Sequence, residues 1–293
     1  MSHTHRLRLP WSHSTTDVAA VRPLTGDDVG RLRLGWQSRF TAPSLTAHLQ
    51  RYPAAGWWLP DSAEYVVSEP WRRRDEIVGL LEVGARGAGR AALLAAAAAS
   101  ARAAGRRLLI LPEADWSPHK SPGDADFAPL ERVVYYQLGG LIGPPAATRP
   151  LPPLEFAPLT AHNLATVLAL DHAAFPWLWW NSEAEVRAYS GYAGVQLWLG
   201  WTAGVPVAYA GFTTLDRWGH LDRLATDPAW QGRGYGAAML AYALGRMAAL
   251  GVARVTLSTQ ATNTGSQRLY EGFGFRRTQE VYAIYGQWLL APD

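Results

Sequence analysis

Gln231-Gly232-Arg233-Gly234-Tyr235-Gly236 is a glycine-rich turn that separates a strand-like segment from a helical one. Residues 221–226 predict a strand, and residues 237–250 predict a helix whose large apolar side chains share one stripe. Gly251 follows at the position where a glycine commonly ends a helix. A turn that opens a helix leaves the first backbone N–H groups unpaired at the positive end of the helix dipole. The stretch therefore predicts a site for an anion such as a phosphate group.

Other phosphate-binding motifs match this turn less well. The dinucleotide fingerprint places its third glycine one residue later, and the nucleotide P-loop needs a lysine, whereas Lys120 is the sole lysine of the chain. A tight turn whose glycines only allow a helix to pack on a strand stays open as an alternative. For the phosphate interpretation, Gly234 and Gly236 let oxygens approach the main chain, while Arg233 adds charge and Gln231 adds a hydrogen bond.

The sequence after the predicted helix supports the phosphate interpretation. Residues 252–258 are rich in β-branched side chains and predict a buried strand parallel to the first, joined to it by a right-handed crossover. Asn263 then begins a short predicted helix, with Ser266 and Tyr270 at helical spacing and Gly272 near its end.

The pattern Q-x-x-G-x-G followed by N-x-x-S-x-x-L-Y-E-x-x-G-F resembles the GNAT superfamily of acetyl-CoA-dependent N-acyltransferases. The resemblance implies an α/β fold with a mixed central sheet flanked by helices, and acetyl-CoA as co-substrate without a metal. It also implies a general acid, Tyr270, beside the thioester sulfur, because a thiolate leaving group can take a proton from a phenol. The remaining implied contacts are to coenzyme A: main chain at Leu224, Ala225 and Thr226 for the pantetheine, residues 231–236 for the pyrophosphate, and Asn263 near the pantetheine.

The general base is less clearly indicated. His220 and Asp222 are two apart on a strand and so share a face. Some relatives place a glutamate or histidine base at the position of His220, and an aralkylamine branch has histidines at both positions. Other relatives place a glutamate at the position of Ser258, and that base is absent here. An exposed, idle histidine at a strand end is the alternative for His220.

Two segments of the first half of the chain match segments of the second half. Residues 21–25 match 156–160, and residues 86–89 with the following helix and strand match 233–236 with theirs, in the same order. A proline-rich stretch separates the copies, which predicts a degenerate GNAT-like domain at 1–142, a linker at 143–154 and a catalytic GNAT domain at 155–293. The layout resembles that of the mycothiol synthase family, but that family carries a glutamate at the position of His220, so its substrate is not carried over.

The first copy lacks the features that carry the chemistry. Gly84 stands at the position of Gln231, and residues 116–126 replace the tyrosine helix. We expect this copy to be a scaffold that completes the substrate cleft; phosphate binding at Gly87 and Gly89 is the alternative. In the second copy, Trp177, Trp179 and Trp180 lie in a region that lines the acceptor site in the family, where they form an aromatic wall for an amine or pack the two domains together.

Composition limits the classes of function. The 293 residues include no cysteine, which excludes disulfides and thiolate metal ligands, and the net charge of +3 comes from scattered arginines, so we expect neither nucleic acid nor a membrane as partner. Residues 1–14 have no apolar core and do not predict a signal peptide, which favours a cytoplasmic protein. A homodimer stays open.

The predicted function is transfer of an acetyl group from acetyl-CoA to a primary amine, on a small molecule or a peptide N-terminus, by direct attack in a ternary complex. The alternative is a non-catalytic acyl-CoA-binding sensor or assembly module.

Overall fold

The computed structural model describes residues 21–113, 126–143 and 150–290. Three predictions concern residues outside these ranges: the absence of a signal peptide at 1–14, the replacement of the tyrosine helix at 116–125, and the part of the predicted linker at 144–149.

Each half of the chain contributes strands to one sheet and helices to its faces. The N-terminal half contains β1 (Arg22–Pro23), α1 (Ala42–Arg51), β2 (Gly56–Leu59), β3 (Glu64–Pro70), β4 (Ile77–Gly84), α2 (Gly87–Ala103), β5 (Leu108–Glu113) and β6 (Ala128–Gly139). The C-terminal half contains β7 (Glu155–Pro158), α3 (Leu164–Ala174), α4 (Glu183–Ser190), β8 (Val195–Thr202), β9 (Val205–Leu215), β10 (Trp218–Thr226), α5 (Tyr235–Ala249), β11 (Arg254–Gln260), α6 (Thr264–Gly272) and β12 (Arg276–Trp288).

The predicted crossover of the second half is present as β10, α5 and β11. The two strands are parallel, with Trp218 opposite Arg254 and Leu221 opposite Leu257. One face of α5 is buried because Met239, Leu240 and Leu244 pack in the core cluster beneath it. On the opposite face of the sheet, α3 and α4 close a second cluster.

The N-terminal half repeats this arrangement as β4, α2 and β5. β4 and β5 are parallel and pair from Ile77 opposite Leu108 to Gly79 opposite Ile110. Even the irregularities correspond, because β4 has a register shift against β3 next to Leu80, as β10 has against β9 next to Leu221. The repeated strand, helix and strand are the structural expression of the duplication in the sequence.

The two halves interlock within one continuous sheet. Its twelve strands have the order β1-β2-β3-β4-β5-β12-β6-β11-β10-β9-β8-β7. Strand β6 of the first half pairs with β11 of the second, and β12 of the second half pairs with β5 of the first. β6 and β12 also pair with each other in the centre, antiparallel. Each half therefore completes its sheet with the last strand of the other.

Among the helices that the structure describes, none is long and apolar enough to cross a membrane.

Candidate active site

The parallel strands β10 and β11 separate part-way along their length. Their pairing ends at Leu221 opposite Leu257. Beyond this point β10 shifts register against β9, so that Asp222 is an extra residue with no partner in the ladder, as in a β-bulge. β10 continues against β9, while β11 continues against β6 from Ser258 onward. A wedge-shaped opening results, and it contains a cavity of about 70 Å³.

Tyr270 lines this cavity from α6. Its side chain is only 6% exposed and its ring lies 6.0 Å from that of Phe275, edge to face. Burial raises the pKa of Tyr270 to about 12, although a hydrogen bond with Ser266 acts in the opposite direction. The phenol is therefore protonated at neutral pH and is available as a donor.

Asn263 fixes the start of the helix that carries Tyr270. Its Oδ1 accepts a hydrogen bond from the Ser266 backbone N–H at 3.1 Å, so it is the N-cap of α6. Asn263 and Ser266 both line the cavity. The predicted helix start is thus present, and its cap borders the same opening as Tyr270.

Asp222 and His220 differ in their relation to the cavity. Asp222 lines it, and its Oδ2 accepts hydrogen bonds from the Tyr189 and Thr213 hydroxyls, each at 2.7 Å. Burial, together with the Asp222 charge, raises the pKa of Tyr189 far above its usual value. His220 is not among the described lining residues; its Nδ1 lies 2.8 Å from the Thr256 Oγ1. Asp222 is the sole carboxylate among the described residues that line the cavity.

The glycine-rich turn opens α5 as predicted. Gly232 and Gly234 have φ angles of 73° and 89°, where a side chain would strain the backbone. Gly234 is the N-cap of α5, and no side chain caps the first turn of this helix. Around Gly232 there is open space, whereas a Cβ on Gly236 would lie 3.0 Å from the Thr226 hydroxyl. The uncapped N–H groups are consistent with an anion site.

Other side chains of the turn are held by local contacts. Gln231 donates from Nε2 to the Thr226 carbonyl at 3.0 Å, which closes the turn on the end of β10. The Arg233 guanidinium lies 5.2 Å from the centre of the Trp230 ring, and the Tyr235 ring contacts the same indole edge to face. Arg233 is exposed and lies next to the first turn of α5.

The main chain of residues 222–226 is free along one edge of β10. Leu224, Ala225 and Thr226 pair with β9 on one side, and no strand of the described chain pairs with their other side. The side chain of Ala225 is buried in the cluster beneath α3. The free edge therefore offers backbone N–H and C=O groups, rather than side chains, to the opening.

Residues 164–275 match the family model described as Acetyltransferase (GNAT) family. The C-terminal half contains a GNAT domain. The match covers the crossover, the glycine-rich turn and the tyrosine helix, and it indicates acyltransferase activity, for which the family uses acetyl-CoA as co-substrate. No curated protein matches the chain.

Solved structures extend the similarity to both halves. A GCN5-related N-acetyltransferase from Sphaerobacter thermophilus is 16% identical, with a TM-score of 0.62 over 94% of this chain and 98% of that one. A tandem GNAT protein from the clavulanic acid biosynthesis pathway is 15% identical, with a TM-score of 0.56 over 94% and 99%. A putative acetyltransferase from Pyrococcus horikoshii is 14% identical, with a TM-score of 0.54 over 100% and 94%. These similarities are in fold, and the predicted mixed α/β fold of two GNAT-like halves is confirmed.

The tryptophans near the GNAT site have different surroundings. Trp179 lines the cavity and is 6% exposed. Trp177 stacks on Trp288 at 5.9 Å, and Trp180 stacks on His172 at 4.6 Å. Neither Trp177 nor Trp180 is among the described lining residues, and the Arg74 guanidinium of the N-terminal half lies over both rings. One tryptophan borders the cavity, and the other two lie where the halves meet.

Arg72 reaches the cavity of the GNAT domain from the N-terminal half, which the sequence did not predict. It lies in the short 3-10 turn Trp71–Arg73 between β3 and β4. Its Nη1 donates to the Asn181 Oδ1 at 2.7 Å. Burial, and secondarily the nearby charge of Arg223, lowers the pKa of Arg72 to about 10, so it remains a cation at neutral pH.

A buried ion pair lies behind Arg72. Asp171 is fully buried and accepts hydrogen bonds from the Arg223 guanidinium, the Tyr209 hydroxyl and the Asn181 backbone N–H. Arg223 also lines the cavity; burial alone would lower its pKa, but Tyr209 and Asp171 raise it overall. Neither Arg72 nor Arg223 belongs to a sequence motif that would have identified it. There was one indirect indication of Arg72, because the sequence predicted that the first half completes the substrate cleft.

The counterpart of the glycine-rich turn in the N-terminal half is filled by a side chain. The Glu64 Oε1 accepts a hydrogen bond from the Arg86 backbone N–H at 3.1 Å, at the start of α2. A Cβ on Gly89 would lie 2.1 Å from the Glu64 Oε2, so this carboxylate rests directly against the first turn. The helix terminus that is uncapped in the GNAT domain is thus neutralised in its copy.

No group of three or more metal-ligating side chains that could hold an ion occurs within residues 21–113, 126–143 and 150–290.

Proposed function

We propose that the protein transfers an acetyl group from acetyl-CoA to a primary amine, by direct attack of the amine within a ternary complex. The observation that carries the proposal is the position of Tyr270, a buried and protonated phenol in the opening between β10 and β11. The uncapped start of α5 and the free edge of β10 support the proposal, because both offer backbone groups that can bind acetyl-CoA.

The residues near the start of α5 and the edge of β10 would bind acetyl-CoA and orient its thioester. The N–H groups of the first turn of α5 would hold the pyrophosphate, with Arg233 adding positive charge. The main chain of residues 224–226 would pair with the amides of the pantetheine arm, as a strand pairs with an added neighbour. Asn263 would contact the arm where it meets the cavity.

The chemistry needs one proton to move from nitrogen to sulfur. Attack of the neutral amine on the thioester carbonyl carbon forms the C–N bond, and the C–S bond breaks as the thiolate leaves. The nitrogen loses a proton and the sulfur gains one, so no further reagent is required. Tyr270 donates toward the sulfur, because its raised pKa keeps the phenol protonated until the thiolate develops.

Asp222 is better situated than His220 to receive the proton of the amine. It is the carboxylate that borders the cavity, and its hydrogen bonds from Tyr189 and Thr213 hold it in position. His220 lies beside Thr256 and outside the described lining, so its role as base requires water between it and the amine. We therefore assign the first proton acceptor to Asp222 and keep His220 as the predicted relay.

Substitution tests these assignments. With acetyl-CoA and a panel of amino acids, their amides, arylalkylamines, polyamines, aminoglycosides and short peptides, the free thiol is measured with a thiol reagent, for which the chain contributes no cysteine background. We expect Tyr270→Phe and Asp222→Asn to lower kcat by about 10² or more, and His220→Ala to lower it less. Tyr242→Phe is the control, because Tyr242 stacks on Phe156 away from the cavity.

A second outcome identifies the alternative function. If coenzyme A binds by calorimetry while no amine of the panel is acetylated, the chain is a non-catalytic acyl-CoA-binding module. If turnover occurs and Tyr270→Phe slows it by less than about 10-fold, the assignment of the general acid is wrong.

A further inference from the structure

The turn Trp71–Arg73 of the N-terminal half is fastened to the GNAT domain along its whole length. The Trp71 Nε1 donates to the Leu178 carbonyl at 2.8 Å, and the Ser182 hydroxyl donates to the Arg72 carbonyl at 2.9 Å. The Arg73 Nε donates to the Glu185 carboxylate at 3.2 Å. The turn is thus held rigidly against the wall of the cavity that contains Tyr270.

The backbone of this turn is in an unfavourable conformation. Arg72 and Arg73 have φ angles of 53° and 52°, in the left-handed region that non-glycine residues rarely adopt. Such conformations persist where the surrounding structure over-determines them, and they are concentrated at functional sites. Here the Arg72 guanidinium carbon lies 5.5 Å and 5.3 Å from the centres of the Trp71 and Trp179 rings, which contact each other edge to face at 5.9 Å.

Within residues 21–113, 126–143 and 150–290, the Arg72 guanidinium has no anionic partner. Its Nη1 bonds the neutral amide of Asn181, and its Nε is buried without a hydrogen-bond partner. In the described chain no carboxylate forms an ion pair with Arg72, because the nearby carboxylates are engaged elsewhere. Those carboxylates and their partners are Asp171 with Arg223, Glu185 with Arg73, and Asp222 with Tyr189 and Thr213.

A buried, unpaired donor on a cation is costly unless a ligand satisfies it. A carboxylate is the group that matches the fork of a guanidinium, through two parallel hydrogen bonds. Since Asp222 offers a carboxylate to the same cavity, its described lining presents a cation and an anion that are complementary to a zwitterion.

We propose that Arg72 binds the carboxylate of an amino-acid-like acceptor, whose amine lies toward Asp222 and Tyr270. The inference rests on the proposed function and assigns its substrate class. Arg72 and Asp222 border the same small cavity, of about 70 Å³, so we infer a compact head group with the amine and the carboxylate on the same or adjacent carbon atoms. Arg72 also lines a second, larger cavity of about 560 Å³, whose lining includes Tyr52 and the carboxylates Glu69 and Glu185, and we assign the remainder of the acceptor to this side of Arg72.

The test compares each amino acid with its own carboxamide, which has the same amine and side chain without the anionic charge. With the twenty standard L-amino acids, wild-type protein and acetyl-CoA, we expect kcat/KM to favour the best acid over its amide by at least about 10-fold. Arg72→Met is expected to remove this preference, mainly by raising KM for the acid about 10- to 100-fold. Arg72→Lys keeps the charge without the fork and is expected to fall between the two.

Arg246→Met is the matched control. Arg246 also has a buried Nε without a partner and lies over a tryptophan, with 4.9 Å to the Trp198 ring centre, but it lines a different cavity. Its substitution is expected to leave the preference for the acid unchanged. Thermal midpoints of all variants identify any that do not fold, and Arg72→Lys is then used in place of Arg72→Met.

Binding provides a readout that does not depend on turnover. Tryptophan fluorescence, with Trp71 and Trp179 beside Arg72, reports titration of each acid and amide in the presence of coenzyme A. Preferential binding of an acid without acetylation supports the role of Arg72 and contradicts the proposed function. Two results would overturn the role of Arg72. The first is that, in both turnover and binding, the wild-type protein does not prefer the amino acids to their amides. The second is that the Arg72 variants retain the preference for the acid.

Discussion

At the scale of single residues, Asp171 is the group whose removal should affect the fold most. It is fully buried, and its carboxylate bonds the Arg223 guanidinium, the Tyr209 hydroxyl and the Asn181 backbone. Asp171→Asn leaves Arg223 as a buried cation without its anion, and such a change costs about 3–5 kcal/mol. We expect a loss of this size in the free energy of unfolding, measured by urea denaturation monitored by circular dichroism.

Glu183→Gln is the control for Asp171→Asn. Glu183 forms an ion pair with Arg187 one turn later on α4, but both side chains are more than half exposed. Pairs of this kind contribute about 0.3–0.5 kcal/mol. Equal losses for the two variants would show that the charge of Asp171 does not stabilise the core.

The residues of the site differ in how far the sequence could predict them. Asn263 and Tyr270 belong to one short helix, and the glycines of the turn are close together in the chain, so a local family motif could locate them. Arg72 and Trp179 meet only through the packing of two halves, across a large separation in sequence. The left-handed backbone at Arg72 has no signature in residue type, because glycine or asparagine would have been expected there.

Among the secondary-structure elements, the N-termini of α2 and α5 differ in the group that lies against their first turn. Glu64 places its carboxylate against the first turn of α2, where the GNAT domain keeps the corresponding turn free. A carboxylate at a helix N-terminus contributes about 0.3–1 kcal/mol. We expect Glu64→Gln to lower the free energy of unfolding by this amount at low salt, and less at 1 M salt because the interaction is screened.

The contact of Glu64 with the N-terminus of α2 also leads to a prediction of how many coenzyme A molecules one chain binds. Because the Glu64 carboxylate lies against the first turn of α2, we expect calorimetry with the wild-type protein to give one bound coenzyme A per chain. Glu155→Gln, on an exposed position of β7, is the control and should change neither stability nor stoichiometry. Two sites of similar affinity in the wild-type protein would contradict this interpretation of α2.

Strands and helices of the crossovers were predictable because their apolar patterns are local, and the predicted order of strand, glycine turn, helix and strand is present twice. The ends of α5 differ from the prediction by a residue or two, since the helix begins at Tyr235, within the glycine turn. The partners of β6 and β12 were not predicted. An alternating pattern specifies which face of a strand is buried, but it does not specify which neighbour forms the hydrogen bonds.

At the scale of the whole molecule, the exchange of β6 and β12 makes each core depend on the other half. Val134, Tyr136 and Leu141 of the first half are buried in the main core of the GNAT domain. Leu289, from the end of the second half, is buried in the core beneath α2. Each of these two cores therefore contains side chains from both halves of the chain.

We therefore expect a single cooperative unfolding transition for the whole chain, with coincident midpoints by far-ultraviolet circular dichroism and tryptophan fluorescence. Residues 155–293 expressed alone should lack a fixed near-ultraviolet spectrum, because β11 then has no β6 to pair with and three core side chains are missing. Co-expression with residues 1–142 should restore the spectrum in a 1:1 complex, which serves as the control that the shortened chain is competent to fold. The expectation would be contradicted by a second transition in the whole chain, or by cooperative unfolding of residues 155–293 alone. Either result would mean that each core is stable without the strand from the other half.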